Sequence, residues 1–87
     1  MKESDIQRQI KEFLQWRGWY IVRMQQSMGS HKGLADLYCI KDGRSVWVEV
    51  KTPRGRQSEH QKDFQAAIEM SGGEYILARG IEDVEHL

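Results

Sequence analysis

The chain has 87 residues, enough for one small domain with a modest core. No apolar run is long enough to span a bilayer, and the first residues lack the apolar stretch of a secretory signal, so we expect a cytoplasmic protein. The single cysteine, Cys39, excludes a disulfide framework and is more typical of a core residue than of a reactive thiol. Because no linker, repeat or low-complexity segment interrupts it, residues 1–87 are predicted to form a single domain.

Charge is balanced overall but unevenly distributed. The chain has 13 Lys and Arg against 13 Asp and Glu. Residues 21–62 hold eight of these bases and four of the acids, whereas residues 63–87 hold one base and six acids. A basic middle segment suits contact with a phosphate backbone. Clustered charge is also common on surfaces that meet only water, so this distribution supports a nucleic-acid partner without establishing one.

The N-terminal segment has the pattern of an amphipathic helix. Apolar residues at positions 6, 10, 13 and 14 recur at helical spacing, and Gly18 is placed to end the helix in a left-handed conformation. Ser4 followed by Gln7 fits a capping box, which would leave Glu3 just before the helix. If the helix starts earlier, Glu3 shares a stripe with Gln7 and points inward. An acid at this position commonly does no more than complement the helix dipole.

A strand and a polar loop are predicted next. Residues 19–24 are β-branched and aromatic, which is typical of a strand, and Gln25 to Gly33 form a polar, glycine-containing loop. Loops are polar in any protein, so contact with a substrate phosphate is one of two interpretations. The candidates for such DNA contacts are Arg23 near the end of the strand and, in the loop, Ser27, Ser30, His31 and Lys32.

A β-hairpin is predicted around Asp42-Gly43, because a type I′ turn needs positive φ at both central residues. Continuing the register from this turn brings Asp36 opposite Glu49, and opposed side chains share one face with Cβ atoms about 4.5–5.5 Å apart. Lys51 lies on the same face, about 7 Å further along its strand. The other face is apolar and is expected to be buried; it consists of Leu37, Cys39, Val46, Val48 and Val50.

Two carboxylates that face each other across a strand pair repel unless something offsets their charge. A bound cation is the simplest offset, and Mg²⁺ commonly uses one or two carboxylates together with waters and substrate phosphate oxygens. Asp36 and Glu49, with Lys51 beside them, therefore indicate a metal-dependent site that cleaves phosphodiesters. The alternative is a salt-bridged face in a DNA-binding or structural module.

The segment after the hairpin is basic. Thr52-Pro53 ends the strand, because proline cannot donate to a ladder. Arg54 and Arg56 follow, and two arginines directly after the strand are well placed to hold phosphates by bidentate contacts. An exposed charged turn is the alternative, and the sequence alone leaves both open.

The C-terminal part is predicted as helix, strand and helix. Ser58 and Gln61 form a second capping box, for a helix that stops at Gly72-Gly73. Gln61 could instead point across to the site. Residues 75–78 form a short apolar strand, and the remaining apolar residues give a last turn or two of helix. The predicted element order is therefore α-β-β-β-α-β-α.

These motifs together resemble the PD-(D/E)xK nuclease superfamily and, within it, the stand-alone VRR-Nuc domains of phages and bacteria. One departure is Ala35, where that family usually has proline; because the proline is not a ligand, we expect activity to be kept. The matching residues cover nearly the whole chain: Glu3 with Ile6-Gln7, Gly33-Leu34-Ala35-Asp36, Glu49-Val50-Lys51, Gln61 and Gly72-Gly73-Glu74-Tyr75.

The resemblance implies an α/β fold with a restriction-endonuclease-like core, in which helices flank a mixed sheet of three or four strands. It also implies Mg²⁺ or Mn²⁺ as cofactor and a lysine that orients or deprotonates the attacking water. The site residues that it implies are the metal ligands Asp36, Glu49 and the Val50 backbone carbonyl, the water-activating Lys51, the further acid Glu3 and the supporting Gln61.

The predicted function is a metal-dependent DNA endonuclease, selective for branched DNA such as four-way (Holliday) junctions. The small members that resemble Holliday junction resolvases work as homodimers, and the resemblance extends this expectation to the present chain. Two alternatives stay open: a flap or duplex-end nuclease of the same fold, and a catalytically silent DNA-binding module. Zinc chemistry is not expected, because the histidines at positions 31, 60 and 86 lack zinc-ligand spacing.

Overall fold

The computed structural model describes residues 1–25 and 31–87. Ser27 and Ser30, two of the candidate DNA contacts, lie outside the described residues. In chain order the elements are helix α1 (Glu3–Trp16), strands β1 (Tyr20–Arg23), β2 (Leu37–Lys41) and β3 (Arg44–Val50), helix α2 (Glu59–Met70), strand β4 (Glu74–Ala78) and a 3-10 turn (Ile81–Asp83). This order is the predicted one, with the last helix reduced to a single turn. Neither helix in the described segments has the length and apolar character needed to cross a bilayer.

The four strands form one mixed sheet in the order β1-β2-β3-β4. β2 is antiparallel to both of its neighbours, whereas β3 and β4 are parallel. A parallel pair needs a crossover connection, and α2 provides it between the end of β3 and the start of β4. The mixed α/β sheet flanked by helices is therefore confirmed.

The β2–β3 hairpin has the predicted register. Its ladder runs from Lys41 paired with Arg44 to Leu37 paired with Val48. The two turn residues have φ values of 51° and 79°, as a type I′ turn requires. Asp36 lies one residue before the ladder, and extending the register by one step places it at the level of the residue that follows Val48.

The core fills the space between α1 and one face of the sheet. The hairpin face that was predicted to be buried is fully enclosed, with 0% exposure at Leu37, Cys39, Val46, Val48 and Val50. α1 covers it with the buried side chains of Ile6, Ile10 and Leu14. Burying one such side chain stabilises the fold by about 1.5–3 kcal/mol. This packing therefore determines that the apolar face of the hairpin lies under α1 and that Glu49 and Lys51 lie on the opposite face.

α1 begins at the earlier of the two positions that the sequence allowed. Its N-cap is Lys2, and Glu3 is the first helical residue. The Lys2 backbone N–H donates to the Asp5 carboxylate at 3.1 Å. The capping box predicted at Ser4 and Gln7 is therefore wrong, because an acid within the first turn reaches back to the chain just before the helix and satisfies it there.

α2 has the predicted capping box. The Gln61 backbone N–H donates to Ser58 Oγ at 3.2 Å, and the Ser58 backbone N–H donates to Gln61 Oε1 at 2.9 Å. The helix ends before Gly72, whose φ of 81° is in the left-handed region. Both ends of α2 are thus determined by local sequence signals.

Gly33 packs directly against the first turn of α2. Its φ is 77°, and a Cβ placed on it would collide with the backbone carbonyl of His60. Only glycine permits both the conformation and the close approach. This contact holds the segment that leads into Asp36 against the helix that carries Gln61.

We expect Gly33→Ala to destabilise the fold strongly, because the added methyl group must displace the α2 backbone. Gly43→Ala is the matched control, since its φ is 79° but nothing lies within 4 Å of an added Cβ. The control should lose only the roughly 1–2 kcal/mol of the left-handed conformation. Urea denaturation of both variants measures the difference, and equal losses would contradict the close packing of Gly33 on α2.

Candidate active site

Asp36 is fixed by the strands on either side of it. Its Oδ2 accepts a hydrogen bond from the Val50 backbone N–H at 2.7 Å. Its backbone carbonyl accepts from the Met24 N–H, also at 2.7 Å. Burial raises the pKa of Asp36, and the Val50 hydrogen bond and the charges of Lys51 and Arg23 offset part of that rise. The carboxylate is therefore held in one orientation at the edge of the enclosed part of the sheet.

Glu49 is the only buried polar or charged residue in the described segments, with 0% exposure. Its Oε2 accepts from Gln61 Nε2 at 2.8 Å and lies 3.2 Å from Lys51 Nζ. Its Oε1 is also buried but has no hydrogen-bond partner among the residues that the structure describes. Burial, followed by the charge of Asp36, raises the pKa of Glu49 to about 7. Glu49 Oε2 thus has two polar partners, whereas Oε1 is available to a further ligand.

Lys51 lies on the same face as Glu49, as the strand alternation predicted. Its side chain is only 11% exposed. The Lys51 backbone N–H donates to the Ala78 carbonyl at 3.0 Å, which continues the β3–β4 pairing by one residue. The ammonium is therefore carried on backbone that the sheet holds rigidly.

Gln61 uses both ends of its amide. Its oxygen completes the cap of α2, as described above, and its nitrogen donates to Glu49. The two alternatives raised for this residue are both realised, because a capping side chain at the first turn of α2 lies directly above β3. Helix α2 is in this way tied to the carboxylate at the centre of the site.

Glu3 lies at the edge of the site. It is exposed on the first turn of α1, and its charge contributes to the raised pKa of Glu49. No group of three or more His, Cys, Asp or Glu side chains that could hold a metal occurs within residues 1–25 and 31–87. Glu3 thus acts on Glu49 without completing a metal-binding cluster, and Asp36 and Glu49 stay the predicted metal ligands.

This donor set fits a hard divalent cation. Mg²⁺ and Mn²⁺ prefer oxygen ligands, and Mg²⁺ sites commonly combine one or two carboxylates with several waters. Asp36 and Glu49 supply two such carboxylates, and Glu49 Oε1 is a buried oxygen that lacks a donor among the described atoms. A buried polar group left without a partner costs about 1–3 kcal/mol, which a bound cation would remove.

The predicted DNA contacts that fall within the described residues lie on three separate segments. His31 and Lys32 are exposed before β2, and the His31 ring packs edge-on against Phe64 with centroids 5.5 Å apart. The other candidates are also exposed: Arg23 at the end of β1, and Arg54 and Arg56 after β3. These placements make the side chains accessible to a large ligand, while the role of each stays a prediction.

Sequence reasoning missed Arg79. This residue fixes the loop that carries Arg54 and Arg56, because a single guanidinium nitrogen donates to three of the loop's carbonyls. The available signal was its position as the one base among residues 63–87. The carbonyls that accept from Arg79 Nη1 are those of Thr52 at 2.7 Å, Pro53 at 3.3 Å and Gly55 at 2.7 Å.

Comparison with known proteins agrees with the fold. A solved structure named "VRR_NUC domain" matches with a TM-score of 0.84 and 22% sequence identity, over 98% of this chain and 91% of that chain. The chain therefore has the fold of a VRR-Nuc nuclease. The family model described as archaeal Holliday junction resolvase (Hjc) matches residues 1–82. The chain belongs to this family, whose members are nucleases of the PD-(D/E)xK type. No curated protein matches the sequence.

The raised pKa of Glu49 makes the stability of the metal-free protein depend on pH. Because this pKa is about 7 in the folded protein against an ordinary 4.5, the folded state binds more protons than the unfolded state between these values. The free energy of unfolding should therefore fall as pH rises through this window, by about 1–3 kcal/mol. Urea denaturation at pH 5 and pH 8 with a chelator measures it. Glu49→Gln should remove this component, and an unchanged difference in that variant would contradict the assignment.

Proposed function

We propose that this protein is a metal-dependent DNA endonuclease that hydrolyses phosphodiester bonds in branched DNA, with four-way junctions as its substrate and a homodimer as its working form. The observation that carries the proposal is the Glu49 carboxylate, whose Oε2 is held by Lys51 and Gln61 while its buried Oε1 faces no donor among the described residues. Asp36 adds a second negative charge beside it. Membership of a Holliday junction resolvase family supports both the reaction and the substrate class.

In this proposal Asp36, Glu49 and the Val50 backbone carbonyl hold Mg²⁺ or Mn²⁺. When bound, the ion polarises the phosphoryl oxygens and lowers the pKa of a water that it binds. The protein's own groups then position the reactants. Val50 fixes the Asp36 carboxylate through its N–H, and Gln61 fixes the plane of the Glu49 carboxylate.

Lys51 has the role of orienting or deprotonating the attacking water. Its Nζ carries several donors and lies 3.2 Å from Glu49 Oε2 on a nearly enclosed side chain. The water oxygen bonds to phosphorus as the bond from phosphorus to the leaving sugar oxygen breaks. In the orienting role the Lys51 ammonium donates a hydrogen bond to the attacking water, and the proton of the water passes to solvent; in the deprotonating role the neutral amine of Lys51 takes that proton. In both roles the leaving sugar oxygen takes a proton from solvent.

One observation favours a second candidate function. Lys51 Nζ pairs with Glu49 Oε2 at 3.2 Å, which is the arrangement expected of a salt-bridged face in a catalytically silent DNA-binding module. Against this, the ammonium contacts only Oε2, so the pair leaves Oε1 unsatisfied within the described structure. A flap or duplex-end nuclease would use the same site and differs only in the DNA that it accepts.

Two substitutions should separate metal binding from catalysis. Asp36→Asn should weaken Mn²⁺ binding by more than the ~10–100-fold that changes around metal ligands typically cost. Lys51→Ala should retain Mn²⁺ binding and lose cleavage by ~10²–10⁴-fold or more, the range of a positioned acid or base. Calorimetric Mn²⁺ titration, a nicking assay and circular dichroism make the three measurements.

Asp42→Asn is the matched control for the first variant, since it makes the same chemical change in the exposed hairpin turn. It should bind Mn²⁺ as the wild type does. Undiminished Mn²⁺ binding in Asp36→Asn would remove the metal site from the proposal. Full metal-dependent activity in Lys51→Ala would refute the catalytic role of the lysine.

The substrate is tested with a four-way junction, a flap and a linear duplex, each with and without Mg²⁺ or Mn²⁺. We expect symmetric paired cuts in the junction alone, and a particle of twice the 10.2 kDa chain mass in sedimentation. Cutting of the flap or the duplex ends instead would support the other nuclease. Binding of all three without cutting would support the silent module, and paired cutting by a monomer would refute the homodimer.

A further inference from the structure

A basic cleft lies between α1 and the end of β1. It has a volume of about 230 Å³ and is lined by Ser4, Gln7, Arg8, Lys11 and Arg23. The four lining residues from α1 follow the i, i+3, i+4, i+7 spacing, so they form one continuous face of that helix. Three of the five are cationic and none of the five is acidic, although the whole chain has zero net charge.

Within the described residues, the only ion pair made by the cations of this cleft is one long, exposed contact. Arg8 lies 3.8 Å from Asp5, but this contact is within one helix turn and the arginine side chain is 66% exposed. Such exposed pairs contribute little. In the part of the chain that the structure describes, Lys11 and Arg23 take part in no ion pair. The cleft therefore presents positive charge to an anionic ligand, and Ser4 and Gln7 add neutral hydrogen-bond donors.

The cleft borders the candidate active site. Arg23 lines the cleft, and its charge also acts on the Asp36 carboxylate. The next residue, Met24, donates its backbone N–H to the Asp36 carbonyl at 2.7 Å. On the α1 side, Glu3 directly precedes the cleft residues and acts on Glu49. A strand with one phosphate at the two carboxylates would therefore enter this cleft with its neighbouring phosphates.

The dimensions suit more than one phosphate. From Ser4 to Lys11 the helix advances by roughly 10 Å. A DNA strand carries one phosphate per ~3.4 Å along the duplex axis. We propose that the α1–β1 cleft binds the backbone phosphates that flank the cleaved one, with Arg8 and Lys11 as its main contacts. This proposal rests on the proposed endonuclease function and extends the DNA-binding surface to helix α1. Contacts of this kind set position and affinity but do not read bases.

Arg8→Gln and Lys11→Gln test the cleft, because glutamine removes the charge while keeping a good helix former. Arg44→Gln is the matched control: it is also an exposed cation, but it lies at the opposite end of β3, paired with Glu74 at 2.7 Å. Fluorescence anisotropy with a labelled four-way junction in chelator gives affinity as a function of salt. Cleavage under single-turnover conditions at saturating DNA gives the rate of the chemical step.

Each cleft variant should bind the junction about three- to tenfold more weakly than the wild type. The slope of log K against log salt is negative, and its magnitude should fall by ~0.9 for each phosphate that the protein no longer neutralises. The single-turnover rate at saturation should stay at the wild-type value, because neither side chain contacts the reacting atoms. The Arg44 control should leave both affinity and slope unchanged.

Three outcomes would each contradict the proposed role of the α1–β1 cleft. If the cleft variants match Arg44→Gln in affinity and slope while the wild type still cuts DNA, the cleft assignment fails and the endonuclease remains. If the saturated rate falls with either variant, that side chain acts in the chemical step and not on flanking phosphates. If the wild type binds no DNA, the proposed function fails together with the cleft. Thermal denaturation shows whether each variant is folded, and the single variants are assessed separately.

Discussion

The buried carboxylate of Glu49 is the constraint on which the rest of the structure depends. A fully enclosed charge is destabilising by several kcal/mol unless it is paired and hydrogen-bonded. One contact comes from Lys51 on the same strand, and the other comes from Gln61 on α2. The second exists only because the Ser58 cap starts the helix at the right place and Gly33 lets it pack closely. The position of α2 and the hydrogen bonding of the buried Glu49 carboxylate therefore depend on each other.

Glu49 makes the folded protein less stable than an apolar side chain at the same position would. An apolar side chain at position 49 would avoid both the desolvation and the repulsion from Asp36 that raise the pKa of Glu49. Perturbed carboxyls gathered in one place are characteristic of functional sites, where stability is given up for preorganisation. Glu49 Oε1, which is buried and has no hydrogen-bond partner among the described residues, is the clearest sign of this here. A cation that binds only the folded state would recover part of the loss, and its binding would then be coupled to folding.

Local signals made most of the fold predictable. The Asp42-Gly43 turn and the alternation of apolar residues gave the hairpin register, and the register gave the buried face. The capping box predicted for α1 was wrong. Two overlapping first turns are possible, and they differ only in whether the Asp5 carboxylate or the Gln7 amide accepts a hydrogen bond from the backbone just before the helix. The burial of Glu49 was not predictable, since it depends on a helix that begins ten residues later in the chain. The contacts of Arg79 span 24 to 27 residues and leave no local pattern.

Zero net charge conceals a segregation that the structure explains. The acidic C-terminal segment supplies structural partners: Glu74 pairs with Arg44 at the hairpin end of the sheet, and Asp83 accepts the Arg79 backbone N–H. Glu74 is thus engaged at the hairpin end of β3, whereas Asp36 lies level with the other end of that strand. The basic middle segment can therefore present a local positive surface, which is what a phosphate backbone senses at distances comparable to the ~8 Å screening length in physiological salt. Net charge is the wrong quantity for predicting the partners of so small a domain, because one segment neutralises the total without neutralising the surface around the site.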